Sequence, residues 1–193
     1  HAAVQLAQQI GAEIFATASP PKWSFLKLMG IDHVMHSRTL NFAEQIKTAT
    51  AGQGVDVVFN SLNGEVIPKS LEVLAPQGRF VEIGKIDIWP AEKMSQSRPD
   101  VTYFPFDLLE VSNAQPQLIR SQLIRLMVQF KCGELQPLPI TGFPIESAPA
   151  AFRYMAQARL IGIVVLTLPP VAVSYSSVDS TTDSMTETQK NKS

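Results

Sequence analysis

Lys85 follows directly on the stretch Gln77-Gly-Arg-Phe-Val-Glu-Ile-Gly84, and Asp107 lies twenty-two residues further along. Gly78 is a turn signal. Arg79-Phe-Val-Glu-Ile83 is short, apolar and β-prone, as buried strands of parallel sheets are. The strand stops at Gly84 and the lysine comes next. In open α/β sheets the ligand crevice lies outside the carboxyl ends of the strands. A lysine in that place can face a bound cofactor rather than bulk water.

Three other strand ends carry polar groups that could reach the same crevice. Ser19-Pro-Pro-Lys22 closes the strand expected at 13–18, Ser37-Arg38 closes the one at 33–36, and Asn60-Ser61-Leu62 closes the one at 55–59. In dinucleotide-binding sheets an acid at the end of the second strand binds the free ribose 2′-hydroxyl, whereas basic residues accept a 2′-phosphate. No acid stands here. Ser19, Lys22 and Arg38 offer two cations and a hydroxyl, which suits a dianionic group. On pattern alone Lys22 and Arg38 read first as ordinary solvated charges at helix and loop ends. Asn60 and Ser61 read as crevice contacts or as a plain polar turn. Asp56, inside an apolar strand, needs a buried partner if ionised, and a structural hydrogen bond fits it better than catalysis.

Stepping outward, these residues are set in alternating strands and helices. Helices are expected at 1–10 (apolar positions Val4, Leu6, Ala7 and Ile10), 22–29, 41–49 (Phe42, Ile46 and Ala49 inward), 66–74, 116–130 and 147–158. Strands are expected at 13–18, 33–36, 55–59, 79–83, 101–106, 137–141 and 162–168, with a polar loop around 90–100. Gly11 and Gly30 sit where helix C-caps fall. Such alternation implies βαβ units and a mostly parallel sheet. The fold class is therefore α/β, a Rossmann-like doubly wound parallel sheet entered after its first strand. The strand and Gly-rich turn that open such a sheet are expected ahead of residue 1, in a longer protein. The expected organisation is a partial nucleotide-binding domain at 1–136, a return segment at 137–168, and a Ser/Thr-rich linker or tail at 169–193, where ten of twenty-five residues are Ser or Thr.

Composition narrows the function classes. With 193 residues, 45% hydrophobic and a net charge of -1, the chain gives no support for binding nucleic acid or an anionic membrane surface. The single cysteine, Cys132, excludes an internal disulfide and fits a reducing cytoplasm. Cys132, His1, His33 and His36 show no metal-ligand spacing, and no metal is expected.

The segments Phe15-Ala-Thr-Ala-Ser19, Ser37-Arg-Thr-Leu40, Gly54-Val-Asp-Val-Val-Phe-Asn-Ser-Leu62, Gly78-Arg-Phe-Val-Glu-Ile-Gly-Lys85, Phe106-Asp-Leu-Leu109 and Ala151-Phe-Arg-Tyr-Met-Ala-Gln-Ala-Arg159 occur in order and at fixed spacing. Together they resemble the enoyl reductase domains of modular polyketide synthases and animal-type fatty acid synthases. Those domains form a zinc-free branch of the medium-chain dehydrogenase/reductase superfamily, and the likeness runs over about residues 1–169. It implies NADPH-dependent reduction of a trans-2-enoyl thioester carried on an acyl carrier protein. Hydride would pass to the β-carbon and a proton to the α-carbon.

By the same resemblance, Lys85 and Asp107 are the catalytic pair beside the nicotinamide, as proton donor or enolate stabiliser, with a structural ion pair as their alternative role. Ser19, Lys22 and Arg38 become 2′-phosphate contacts, and Asn60, Ser61 and Gly84 line the cofactor crevice. The implied partners are the carrier-bound substrate and neighbouring synthase domains, with a homodimer formed through the parent synthase as a further arrangement. One departure stands out. Arg159-Leu-Ile-Gly-Ile163 replaces the family's usual His-x-Gly-Lys, so Leu160 and Ile163 occupy two normally polar positions. A stand-alone quinone or enone reductase, a hydride-driven cyclopropane-forming enzyme and a non-catalytic structural remnant are the alternative readings.

Overall fold

β-prone runs alternating with helices along the chain place the strands side by side, all pointing the same way within each sheet. The computed structural model describes residues 1–157 and 160–169. The order is α1 (Ala2–Gln9), β1 (Phe15–Ala18), a 3-10 turn (Pro20–Lys22), α2 (Trp23–Leu28), β2 (His33–His36), α3 (Phe42–Ala49), β3 (Val55–Asn60), α4 (Val66–Glu72), β4 (Leu74–Glu82) and α5 (Ala91–Ser97). There follow β5 (Thr102–Pro105), α6 (Leu108–Ala114), α7 (Pro116–Lys131), β6 (Ile140–Pro144), a second 3-10 turn (Ile145–Ser147), α8 (Ala148–Ala156) and β7 (Ile163–Thr167). Among the described residues β1 pairs with β2, β3–β4–β5 form a second sheet and β6–β7 a third, every pairing parallel. The expected α/β organisation with parallel pairing is present. Its sheet is divided between β1 and β3, and on β3 the side chains of Val57 and Phe59 stay 45% and 56% exposed.

Two apolar clusters hold this arrangement. Met35, Phe42, Ala43, Ile46 and Val73 form the first, against which Phe15 of β1 and Val55 of β3 pack, so it ties the first two sheets together. Ile67, Leu71, Leu74, Phe80 and Met94 form the second, beneath β3–β4–β5. A fully buried Phe80 contributes about 1.5–3 kcal/mol relative to an exposed one. In α3 the inward stripe is Phe42, Ala43 and Ile46; Ala49, expected inward, is exposed because it is the helix's last residue and projects past the cluster. In α1 no residue is buried, and Ile10 is 81% exposed. A helix buries its apolar stripe against a continuous sheet, and here the sheet is interrupted. The contacts of α1 are polar instead: Gln5 exchanges two hydrogen bonds with the Gln136 backbone, and Gln9 donates to Glu134 O.

Two helices were not expected. The polar loop around 90–100 contains α5, which starts after an extended Pro90 and is anchored by one buried side chain, Met94. A single anchor gives no periodic signal. α6 buries nothing and is started by its Asp107 cap. Gly162 must be glycine: its φ is +85°, and a Cβ there would collide with Pro139 O, the acceptor of the Ile163 N–H that opens β7. Ile163 is 46% exposed, so its apolar side chain adds little to packing. Arg159 and the tail expected at 169–193 lie outside the described residues, apart from Pro169.

Arg98 locks the turn between α5 and β5. Its Nη1 donates to Leu71 O near the carboxyl end of α4 at 2.7 Å and to Leu74 O at the start of β4 at 3.2 Å, while Nε and Nη2 each meet Asp100 at 2.8 Å. Asp100 also accepts the Gln77 N–H at 3.2 Å. A planar fork makes these bonds together, and an ammonium does not. We expect Arg98→Lys to lower unfolding free energy by about 1–3 kcal/mol, read by chemical denaturation. An unchanged midpoint would show that the fork adds nothing.

Candidate active site

The carboxyl ends of β3, β4 and β5 lie at one level. Asn60 stands opposite Glu82, and Glu82 opposite Pro105. One residue further on, Ile83 N–H donates to Asn60 O at 2.9 Å and Phe106 N–H to Glu82 O at 2.7 Å, so the ladder continues past the strands. Residues leaving these strands therefore emerge side by side. They are Asn60 and Ser61, Gly84 and Lys85, and Asp107.

Lys85 and Asp107 meet. Nζ of Lys85 lies 2.8 Å from Asp107 Oδ2 and donates to Phe106 O at 3.1 Å. The other Asp107 oxygen, Oδ1, accepts the N–H groups of Leu109 at 2.7 Å and Glu110 at 3.2 Å, capping α6. Asp is a favoured N-cap because it satisfies amides that have no partner inside the helix. The two oxygens thus have separate tasks, one fixing the carboxylate and one holding the lysine. Lys85, with the amides of Glu110 and Leu109, holds the Asp107 carboxyl below its ordinary range. The pair is open to solvent, with 57% of the Lys85 side chain and 36% of that of Asp107 exposed.

Behind the pair lies a buried polar group. Asn60 is 5% exposed and Glu82 1%. Asn60 Nδ2 donates to Glu82 Oε2 at 2.6 Å and to Leu62 O at 2.6 Å, and Asn60 Oδ1 accepts the Leu62 N–H at 3.2 Å. Asn60 therefore organises the polar turn that contains exposed Ser61, in addition to any crevice role. Gly84 N–H donates to Glu82 Oε1 at 2.6 Å. The residue that sequence reasoning missed is Glu82. Its signal was available, since an acid inside Arg79-Phe-Val-Glu-Ile83 needs a buried partner. That demand was placed instead on Asp56, which is exposed and needs none.

Ser19 and Arg38 follow the paired strands β1 and β2, where Ala18 stands opposite His36 and Ser37 N–H donates to Ala18 O at 3.1 Å. The Trp23 indole also donates to Ala18 O, at 3.0 Å, fixing the 3-10 turn that carries Lys22 against the same strand end. The Arg38 N–H donates to His36 Nδ1 at 3.0 Å. Lys22 is half-buried and Arg38 exposed, and neither enters an ion pair among the described residues. This group and the Lys85 group sit on separately hydrogen-bonded sheets. A hydroxyl and two cations at adjoining strand ends suit a phosphate.

Residues 29–166 match the zinc-binding dehydrogenase family. Among the described residues no three His, Cys, Asp or Glu side chains are grouped to hold a metal; His33 is engaged with Glu13 at 3.0 Å and Cys132 is exposed. The spectinabilin polyketide synthase system protein NorB of Streptomyces orinoci is 47% identical over 171 residues, which are 88% of this chain and 8% of that protein. The CurK enoyl reductase crystal structure is 60% identical, with a TM-score of 0.82 over 87% of this chain and 51% of that one. The CurF enoyl reductase cyclopropanase of the curacin A pathway is 49% identical, with a TM-score of 0.83, 87% and 50% covered. The chain thus spans about half of these solved structures and a small part of the synthase protein. Its Rossmann-like fold, its parallel strand ends and the match over 29–166 place the chain in the zinc-binding dehydrogenase family, in a region similar to the enoyl reductase domains of polyketide synthases.

Proposed function

We propose that this chain is the cofactor-binding part of an NADPH-dependent enoyl reductase domain that saturates a trans-2-enoyl thioester carried on an acyl carrier protein. The observation that carries the reading is the Lys85–Asp107 pair, held at 2.8 Å beyond the ends of β4 and β5. The 60% identity to the CurK enoyl reductase supports it. In a complete domain the free edges of β1 and β3 would take a further strand, residues 140–168 would belong to the substrate domain, and 169–193 would lead to neighbouring synthase domains. Such an assembly fits the cytoplasm, and a dimer would form through the parent synthase.

NADPH would supply hydride to the β-carbon, leaving enolate charge on the thioester. Lys85 is placed to meet that charge. An ammonium has three N–H donors; Phe106 O and Asp107 Oδ2 orient two of them, and the third, which has no partner among the described residues, would meet the substrate. A positioned donor of this kind stabilises charge as it develops and can deliver the α-proton. Asp107, itself fixed by α6, keeps the ammonium aimed. Ser19, Lys22 and Arg38 would take the 2′-phosphate, and Asn60, Ser61 and Gly84 would border the nicotinamide half. The 49% identity to the CurF cyclopropanase supports a second reading, in which the same hydride closes a ring on a substrate bearing a leaving group.

In a complete reductase domain carrying this chain, Lys85→Ala should lower kcat by about 10²–10³-fold, with a much smaller change in NADPH affinity. Equal losses would assign Lys85 to cofactor binding. Lys22→Ala should raise KM for NADPH about tenfold and leave KM for NADH nearly unchanged, since a charge-assisted phosphate bond is worth about 1.5–3 kcal/mol. If both cofactors respond alike, the phosphate assignment is wrong.

A depressed carboxyl pKa means that the pair and the α6 cap persist as pH falls past the ordinary aspartate value of 3.8 and are lost only below it. A carboxyl-carbon NMR titration should therefore place Asp107 below 3.8, and Lys85→Ala should raise it toward that value. A midpoint at or above 3.8 in the unsubstituted protein would contradict the pairing.

A further inference from the structure

Glu82 is buried to 1% exposure at the end of β4, and it enters no ion pair among the described residues. Burying a carboxyl group costs free energy, and an apolar side chain at this point of the strand would pack without that cost. What the carboxylate does instead is join the ends of β3 and β4. Oε2 accepts from Asn60 at the end of β3, and Oε1 accepts the Gly84 N–H, one residue before Lys85. The carbonyl of the same residue accepts the Phe106 N–H, and Phe106 O in turn receives Lys85 Nζ. Both the backbone that launches Lys85 and an acceptor that aims it are referenced to one buried residue. The fit at Gly84 is close, for a Cβ there would stand 2.7 Å from Glu82 Oε1.

We propose that the Glu82 side chain is a positioning group for Lys85, fixing the lysine's departure from β4 through Gly84 N–H. In its catalytic consequence this rests on the enoyl reductase reading; in its geometry it does not. Glutamine fills the same volume with one carbonyl oxygen, so either Gly84 N–H or Asn60 Nδ2 would face another donor. Lys85 would then lose its fixed bearing while its own chemistry stays intact.

The test is a cycle of Glu82→Gln, Lys85→Ala and the double variant in a complete reductase domain. Glu82→Gln should lower kcat about tenfold or more, leave KM for NADPH within about threefold, and cause no further loss where Lys85 is already alanine. In parallel, Glu82→Gln should raise the Asp107 titration midpoint part of the way to its Lys85→Ala value, a readout that needs no turnover. An equal fold-loss in both backgrounds, or an Asp107 midpoint that does not move, overturns the proposal. Should Glu82→Gln lose its folded circular dichroism spectrum, Gly84→Ala displaces the carboxylate from the outer side and is judged by the Asp107 midpoint alone, which should rise toward its Lys85→Ala value if the proposal holds and stay put if it does not. An unsubstituted domain that reduces no enoyl thioester refutes the enzymatic reading alone, and the Asp107 titration still decides the role of Glu82.

Discussion

Asn60, Glu82 and Pro105 stand opposite one another across β3, β4 and β5, so three parallel strands release their chains along one line. Everything at the candidate site depends on that register. A slip of one residue would turn each side chain to the opposite face of the sheet. Glu82 would then lose Asn60, and the next residues would no longer deliver Lys85 beside Asp107. The apolar clusters set the register from beneath, because Phe80 and Leu74 fit the second cluster only with their side chains inward. Packing therefore comes first in this site, and chemistry follows from where the packed strands stop.

The Lys85–Asp107 pair is too open to water for its attraction to do much for the fold, since exposed ion pairs contribute little. Its fixed geometry comes from elsewhere. Asp107 is held by the first amides of α6, and Lys85 leaves β4 just after a glycine bonded to a buried carboxylate. Rigid supports on both sides of a loosely hydrated pair is an arrangement suited to meeting transient charge. It holds the ammonium in place while leaving it accessible.

The five strands from 15 to 105 and the long α7 were legible in the sequence because each carries a run of β-prone or periodic apolar residues between glycines and prolines. α5 and α6 were not, since one rests on a single buried methionine and the other on a cap with no buried face. Lys85 and Asp107 were found through position and resemblance, whereas their contact depends on a pairing across 22 residues that no local pattern reports. Asp56 and Glu82 show the same limit. Both are acids inside apolar strands, and which one is buried depends on the strand's neighbours. Among the described residues β3 is paired on one edge only and Asp56 is exposed, while β4 lies between two strands and encloses Glu82.

The division of the sheet has a consequence for how binding and chemistry are coupled. Ser19, Lys22 and Arg38 are borne by β1 and β2, Lys85 and Asp107 by β4 and β5, and the two sheets are joined through side chains of the first apolar cluster rather than by a hydrogen-bond ladder. Changes at well-separated sites with no shared partner combine additively. If the proposed roles hold, selection of a cofactor by its 2′-phosphate would change without disturbing Lys85. Asn60 is the exception. It stands at the strand end beside Ser61 and bonds Glu82 directly, so a substitution there must alter the Leu62 turn and the Glu82 contact at once. On the proposed reading Asn60 would border the nicotinamide while it bonds the buried residue behind Lys85, so cofactor placement and the setting of the lysine would respond together to a change there.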